Sequence, residues 1–179
     1  FDLKKSVSIL KFFLEQILIN IKNPGYGKKI YIRREDTYYR KILNEADLIE
    51  KLKTNGFTIV NPNLFDIVQQ MKIFSNADLI VSPHGSNLSN IVFCKKDTKI
   101  VEISPRFENS SENYLSNRFK KLSAISQLKH SQIYSDSVDV INHSDLAKKY
   151  INTKMLNNSN YYKNLILKVS DIDKLINNL

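Results

Sequence analysis

A single cysteine, Cys94, stands among 179 residues, which excludes an internal disulfide framework and fits a reducing compartment. No window approaches the ~20 uninterrupted apolar residues that a membrane span needs. The most apolar stretch, Leu3 to Ile21, is broken by Lys4, Lys5, Lys11 and Glu15 and reads as a helix, not an anchor. There is no charged-then-apolar leader with a small-residue cleavage site, and the chain opens on Phe1 rather than an initiator methionine. A fragment of a longer, cytoplasmic protein is expected. Neither G-x-G-x-x-G nor G-x-x-x-x-G-K-[ST] occurs, so the dinucleotide and P-loop fingerprints are missing. No Cys/His cluster suggests a metal, and metal-independent chemistry without a cofactor is expected. No run of five or six basic residues occurs either, although 27 basic against 18 acidic residues leave a net charge of +9. That charge favours an anionic partner or surface without choosing among nucleotide phosphates, membrane headgroups and nucleic acid. Asn-x-Ser sequons, including Asn87, Asn109 and Asn142, are read as unused.

What is present is a globular pattern, 42% hydrophobic. Leu3, Val7, Leu10, Leu14, Ile17 and Ile21 recur at helical spacing, with Ile9 and Phe13 widening the stripe, up to Asn23-Pro24-Gly25. Lys29 to Ile32 reads as a strand. Asn44 is placed to cap the next helix, with Glu45 and Asp47 in its first turn and Gly56 after its end. Phe57 to Val60 follows as a strand. Asp66 and Gln69 form a capping box before a helix carrying Met71, Ile73 and Phe74. Leu79-Ile80-Val81 is a buried strand, a short helix starts at Ser86 or Asn87, and Lys99 to Ile103 is another strand closed by Pro105. Residues 29 to 103 thus read β-α-β-α-β-α-β, an α/β fold with a parallel sheet covered on both faces. Beyond Pro105 the expectations are a helix over Tyr114 to Leu122, a strand at Gln132 to Tyr134, and helices over Ser144 to Tyr150 and Ser170 to Asn178. The expected organisation is a leading helix in 1–22, an α/β domain over 23–140, and a C-terminal helical segment, 141–179, of the same domain.

The segment Ser82-Pro83-His84-Gly85-Ser86-Asn87-Leu88-Ser89-Asn90 is the sharpest chemical feature. A strand, a tight loop and a helix start together present unpaired backbone N–H groups to an anion, at the carboxyl end of a sheet where ligands collect. Gly85 permits close approach, and His84 can donate to a phosphate or poise a proton. The same pattern also suits an ordinary strand-to-helix turn capped by Ser86. Three of the five arginines, Arg33, Arg34 and Arg40, follow the first strand of the unit, on the same rim, and their forks suit phosphate oxygens. A solvated loop paired with Glu35 and Asp36 is equally consistent. Glu102 interrupts Ile100-Val101-Ile103 and must be paired or serve a ligand, either ribose hydroxyls or an arginine. His130 and His143 read as surface residues outside any constellation, and Asp78 as a cap or edge charge.

Taken in order, Arg33, Arg40-x-x-x-Asn44-Glu45, Gly56-Phe57, Gln70-x-x-x-Phe74-Ser75-x-Ala77-Asp78, Pro83-His84-Gly85-Ser86-x-x-x-Asn90, Phe93 and Val101-Glu102-Ile103 resemble glycosyltransferase family 61, the capsular polysaccharide biosynthesis domain. The resemblance runs from about Ile30 to Pro105. It departs where the family has Gly-Ala-Gly after the histidine, here Gly85-Ser86-Asn87, and where the family's Glu before the glutamine is Gln69.

The resemblance implies one Rossmann-like half of a GT-B enzyme, the C-terminal half that holds a nucleotide-sugar donor, with inversion at the transferred sugar. A glycan acceptor and an N-terminal half would be its partners, with Leu3 to Ile21 contributing to the junction. His84 and Arg40 would be catalytic, and Arg33, Arg34, Gly85, Ser86, Asn87, Asn90 and Glu102 would bind substrate. Peripheral association with the inner face of a membrane is compatible with the charge. A non-catalytic Rossmann-like partner module is the alternative. A nucleic-acid-binding domain rests on charge alone, without a basic stripe interleaved with aromatics.

Overall fold

The computed structural model describes residues 2–22, 25–35, 37, 39–106, 110–138 and 162–177. The expected helix over Ser144 to Tyr150, and His143, lie outside the described residues. The chain runs α1 (Leu3–Leu18), β1 (Lys29–Ile32), α2 (Glu45–Thr54), β2 (Thr58–Val60), α3 (Ile67–Asn76), β3 (Leu79–Pro83), β4 (Lys99–Pro105), α4 (Ser110–Ile125), β5 (Lys129–Val138), β6 (Asn164–Ile166) and α5 (Val169–Asn177). Short 3-10 helices cover Pro62–Leu64 and Ser86–Phe93.

Six strands form one sheet in the order β2-β1-β3-β4-β5-β6, with β1 to β5 mutually parallel and β6 antiparallel to β5. The chain steps outward from β1 to β2, then returns across β1 to add β3. The gap between β1 and β3 is therefore a topological switch point, where loops from the two strands diverge and leave a crevice above the carboxyl ends. The Arg33–Arg40 loop and the His84–Asn87 loop both rise from it.

Alternation along the strands explains why both faces are covered. Ile30, Ile32, Ile80 and Ile100 enter one core with Ile73 and Phe74 of α3, Leu88 and Ile91 of the 3-10 helix, and Phe119 of α4. Tyr31, Leu79, Val81, Val101 and Ile103 enter the other with Leu48 and Leu52 of α2 and Ile172 and Leu175 of α5. Burying one such side chain contributes about 1.5–3 kcal/mol, so each face holds its helices by several side chains at once. The capping box of α3 is present: Asp66 accepts from the Gln69 N–H at 2.8 Å, and the Gln69 side chain accepts from the Asp66 N–H at 3.1 Å. Gly56 adopts φ +79°, the left-handed conformation a helix terminator uses.

Two expectations need correction. Asn44 sits at the cap position of α2 but makes no side-chain capping bond. Its amide is drawn instead to the Leu167 backbone, donating to the carbonyl at 2.7 Å and accepting from the N–H at 3.1 Å. On α1 the buried residues are Val7, Leu14 and Leu18, whereas Ile9, Phe13 and Ile17 are about half exposed. The apolar stripe is wider than the face the described residues cover.

Candidate functional site

The loop after β3 is built around one buried carboxylate. Register pairs Ser82 of β3 with Glu102 of β4, and Glu102 with Gln132 of β5, so these side chains share a face. His84, two residues beyond Ser82, returns to that face and bonds Glu102 through Nδ1. His130 Nε2 lies 2.9 Å from the other carboxylate oxygen, and the Gln132 amide donates to it at 3.1 Å. Glu102 and His84 are both fully buried. Burial alone would raise the Glu102 pKa, but the hydrogen bonds it accepts from His130 and His84 outweigh it and hold the carboxyl below its ordinary value. Burial holds the His84 pKa down, opposed by Glu102 and reinforced by the charges of Arg40 and Arg118. A neutral imidazole facing a carboxylate must donate from Nδ1, which leaves Nε2 as an acceptor. In that tautomer His84 Nε2 suits a guanidinium or hydroxyl donor.

The arginines divide by environment. Arg34 reaches over the loop, donating Nη1 to the His84 carbonyl at 2.5 Å and Nη2 to Thr37 at 3.1 Å. Gly85 has φ 171°, ordinary extended backbone. Its missing side chain matters for space: a Cβ there would stand 1.4 Å from Arg34 Nη1. Arg34, Thr37, Asn63, Ser86 and Asn87 line a hollow of about 90 Å³ at the switch point. That volume suits a phosphate-sized anion and is well below the ~300 Å³ at which whole-ligand pockets begin. Arg33 is held at its side by Glu45, Nε to Oε2 at 2.9 Å, and by Glu35. Arg40 is buried, in the left-handed region at φ 57°, with its N–H on the Lys163 carbonyl at 2.8 Å. Asn90 donates to Gln70 of α3 at 2.8 Å, a tether between helices.

The larger hollow, about 470 Å³, lies at the amino ends of β3 and β4, below α1. Two of its lysines are committed to helix ends, Lys11 to the Ser126 carbonyl at 2.6 Å and Lys72 to the Leu18 carbonyl at 2.8 Å. It is away from the loops that gather the arginines. Cys94, on its wall, is buried and its thiol pushed up to about 12, an inert group. Against the sequence expectation that no Asp-x-Asp pair is present, Asp171 and Asp173 form one on α5, where Asp173 pairs with Lys51.

The model of one protein family, Glycosyltransferase 61, matches residues 6–101, more than half of the chain. The chain belongs to the glycosyltransferase 61 family. It is similar to the EGF domain-specific O-linked N-acetylglucosamine transferase of Bos taurus, 29% identical over 96 residues, 50% of this chain and 18% of that protein. The Gallus gallus protein of that description is 30% identical over 86 residues, 45% of this chain and 16% of its own length. The protein O-linked-mannose beta-1,4-N-acetylglucosaminyltransferase 2 of Canis lupus familiaris is 28% identical over 101 residues, 53% of this chain and 17% of that protein. The chain therefore spans less than a fifth of the length of these relatives.

The family match stops one residue short of Glu102, and the network completing the loop lies beyond it. His130, read from the sequence as a surface residue, is instead 5% exposed at its side chain and bound to Glu102. Glu102 is paired, as its place in an apolar strand requires, and the partners are two histidines and a glutamine. Asp78 is half exposed and pairs with Lys95. Among the described residues no helix is long and apolar enough to cross a membrane.

Proposed function

We propose that this chain is the donor-binding portion of a glycosyltransferase, holding the diphosphate of a nucleotide sugar at the crevice between β1 and β3. The observation that carries this reading is the Arg34 guanidinium lying across Gly85, beside Ser86 and Asn87, at the switch point of a parallel sheet. A guanidinium placed there meets the negative charge that grows on a leaving diphosphate, where fixed donors lower the barrier most. Arg33 adds charge beside it. Arg40, His84 and Glu102 are buried and support the loop from below as positioning residues. Inversion, metal independence, a cytoplasmic address and a role in polysaccharide or glycan biosynthesis belong to the same proposal. N-acetylglucosamine is the sugar named in the relatives and is the first to test. The GT-B arrangement is proposed on two supports: the hollow is too small to hold a whole donor, and α1 leaves Ile9, Phe12, Phe13 and Ile17 uncovered, a face suited to a second half.

Calorimetric titration with UDP, GDP and CMP tests the reading. Saturable binding of one nucleoside diphosphate, UDP or GDP, in preference to the monophosphate CMP and weakened ~10-fold or more in Arg34→Ala, is expected from loss of a charge-assisted hydrogen bond. Binding that is indifferent to Arg34→Ala, or absent for all three nucleotides, would refute the donor site.

A further inference from the structure

All five arginines, Arg33, Arg34, Arg40, Arg106 and Arg118, follow the carboxyl end of a strand or sit on the helix that begins there, while the lysines are dispersed. Four of them fall to the loops after β1 and β4. Arg118 alone comes from a helix, α4. Its Cζ lies 4.6 Å from the centre of the Phe119 ring. Phe119 is itself buried and stands edge-on to the His84 imidazole, with ring centres 5.2 Å apart. The guanidinium is thus stacked on a ring that is packed against the central histidine of the loop. Stacking of this kind fixes a guanidinium plane in advance of any ligand.

Arg118 Nε is buried and has no hydrogen-bond partner among the described residues. The carboxylate of the network, Glu102, is already occupied by His84, His130 and Gln132. Positive charge converges on the His84 loop from two directions, the β1 loop with Arg34 and Arg40, and α4 with Arg118. A buried N–H donor left open among the described residues is costly, and an anion at that edge would complete it.

We propose that Arg118 is a second contact for the donor diphosphate, reaching the anion from the α4 side while Arg34 reaches it from the β1 loop. This rests on the nucleotide-sugar reading above and adds to it a residue that lies outside the matched family segment. Two guanidiniums on opposite flanks would clasp both phosphates, which neither can span alone, and would select a diphosphate over a monophosphate.

The test is calorimetry of the full chain with inorganic pyrophosphate, UDP and UMP, in the wild type, Arg118→Gln and Arg118→Lys, with a melting curve for each. Arg118→Gln is expected to weaken pyrophosphate and UDP ~10-fold or more while changing UMP much less, with Arg118→Lys intermediate. Pyrophosphate and UDP affinities unchanged in Arg118→Gln would overturn the Arg118 contact and leave the donor site standing, since UDP still binds. Equal weakening of all three ligands in both variants, with lower melting temperatures, would assign Arg118 to packing and also overturn it. A wild-type chain binding neither pyrophosphate nor either of UDP and GDP would overturn both readings together.

Discussion

Gly85 carries its meaning in space rather than in backbone conformation. At φ 171° any residue would fit the chain, so the usual reason for a loop glycine does not apply. What occupies the missing side chain's place is Arg34 Nη1, 1.4 Å from where a Cβ would be. The far end of an arginine can swing aside, so Gly85→Ala should fold with a melting temperature close to the wild type. It should nevertheless push Arg34 off the His84 carbonyl and weaken nucleotide diphosphate binding ~10-fold, the worth of one charge-assisted hydrogen bond. Parallel calorimetry and melting curves separate the two effects. Full affinity in Gly85→Ala would show that the resting place of Arg34 is not its working place. The glycine and the arginines were legible in the sequence as candidate phosphate-binding devices on one rim, but not that one lies upon the other. Local pattern carries no record of a side chain arriving from fifty residues away.

At the scale of elements, the alternation of strand and helix from Lys29 to Pro105 was legible because each strand is a short apolar run bounded by Gly, Asn or Asp, and each helix carries its own cap or terminator. The capping box of α3 appears where Asp66 and Gln69 predicted it. The Glu102 network was not legible for a physical reason. His130 and Gln132 alternate on β5, and only the parallel register of β5 on β4 brings them to Glu102, a pairing across about 30 residues that no local rule reports. Asn44 shows the same limit. Its position and the acids after it predict a helix cap, yet residues 40 to 44 run beside β6, with the Leu43 N–H on the Leu165 carbonyl and the Leu165 N–H on the Lys41 carbonyl, both at 2.8 Å. The Asn44 amide extends that pairing to Leu167 and so fastens the lead into α5. Asn44→Ala should cost about 1–3 kcal/mol in urea unfolding by stripping partners from a largely buried backbone pair. Asn44→Asp distinguishes the roles: as a cap it would match the wild type, whereas as an amide clasp it keeps the acceptor, loses the donor and falls between wild type and Ala.

The whole molecule should register the buried pair through its stability against pH. His84 is held below its ordinary pKa first by burial, with Arg40 and Arg118 adding to the effect against the pull of Glu102. Glu102 is held below its ordinary pKa because the hydrogen bonds from His130 and His84 outweigh the burial that would raise it. In both cases the unfolded chain binds a proton more readily than the folded one, so stability rises with pH across the interval between the two affinities. The His84 contribution is complete above an unfolded histidine value of about 6.5 and is lost as pH falls through its lower folded value. The Glu102 contribution is complete above about 4.3 and is lost further into acid. Each tenfold ratio of folded to unfolded proton affinity is worth about 1.4 kcal/mol. Urea unfolding at a series of pH values should therefore give a plateau above about 6.5, a first decline below it and a second below about 4.3. His84→Gln should lower the plateau, since it disturbs a buried hydrogen bond, and yet flatten the first decline, while the second persists through the His130 bond to Glu102. The shape decides, not the level: a first decline as steep in His84→Gln as in the wild type would mean that His84 is not the group whose protonation the fold resists, and that the loop over β3 is held by something other than a neutral imidazole on a buried carboxylate.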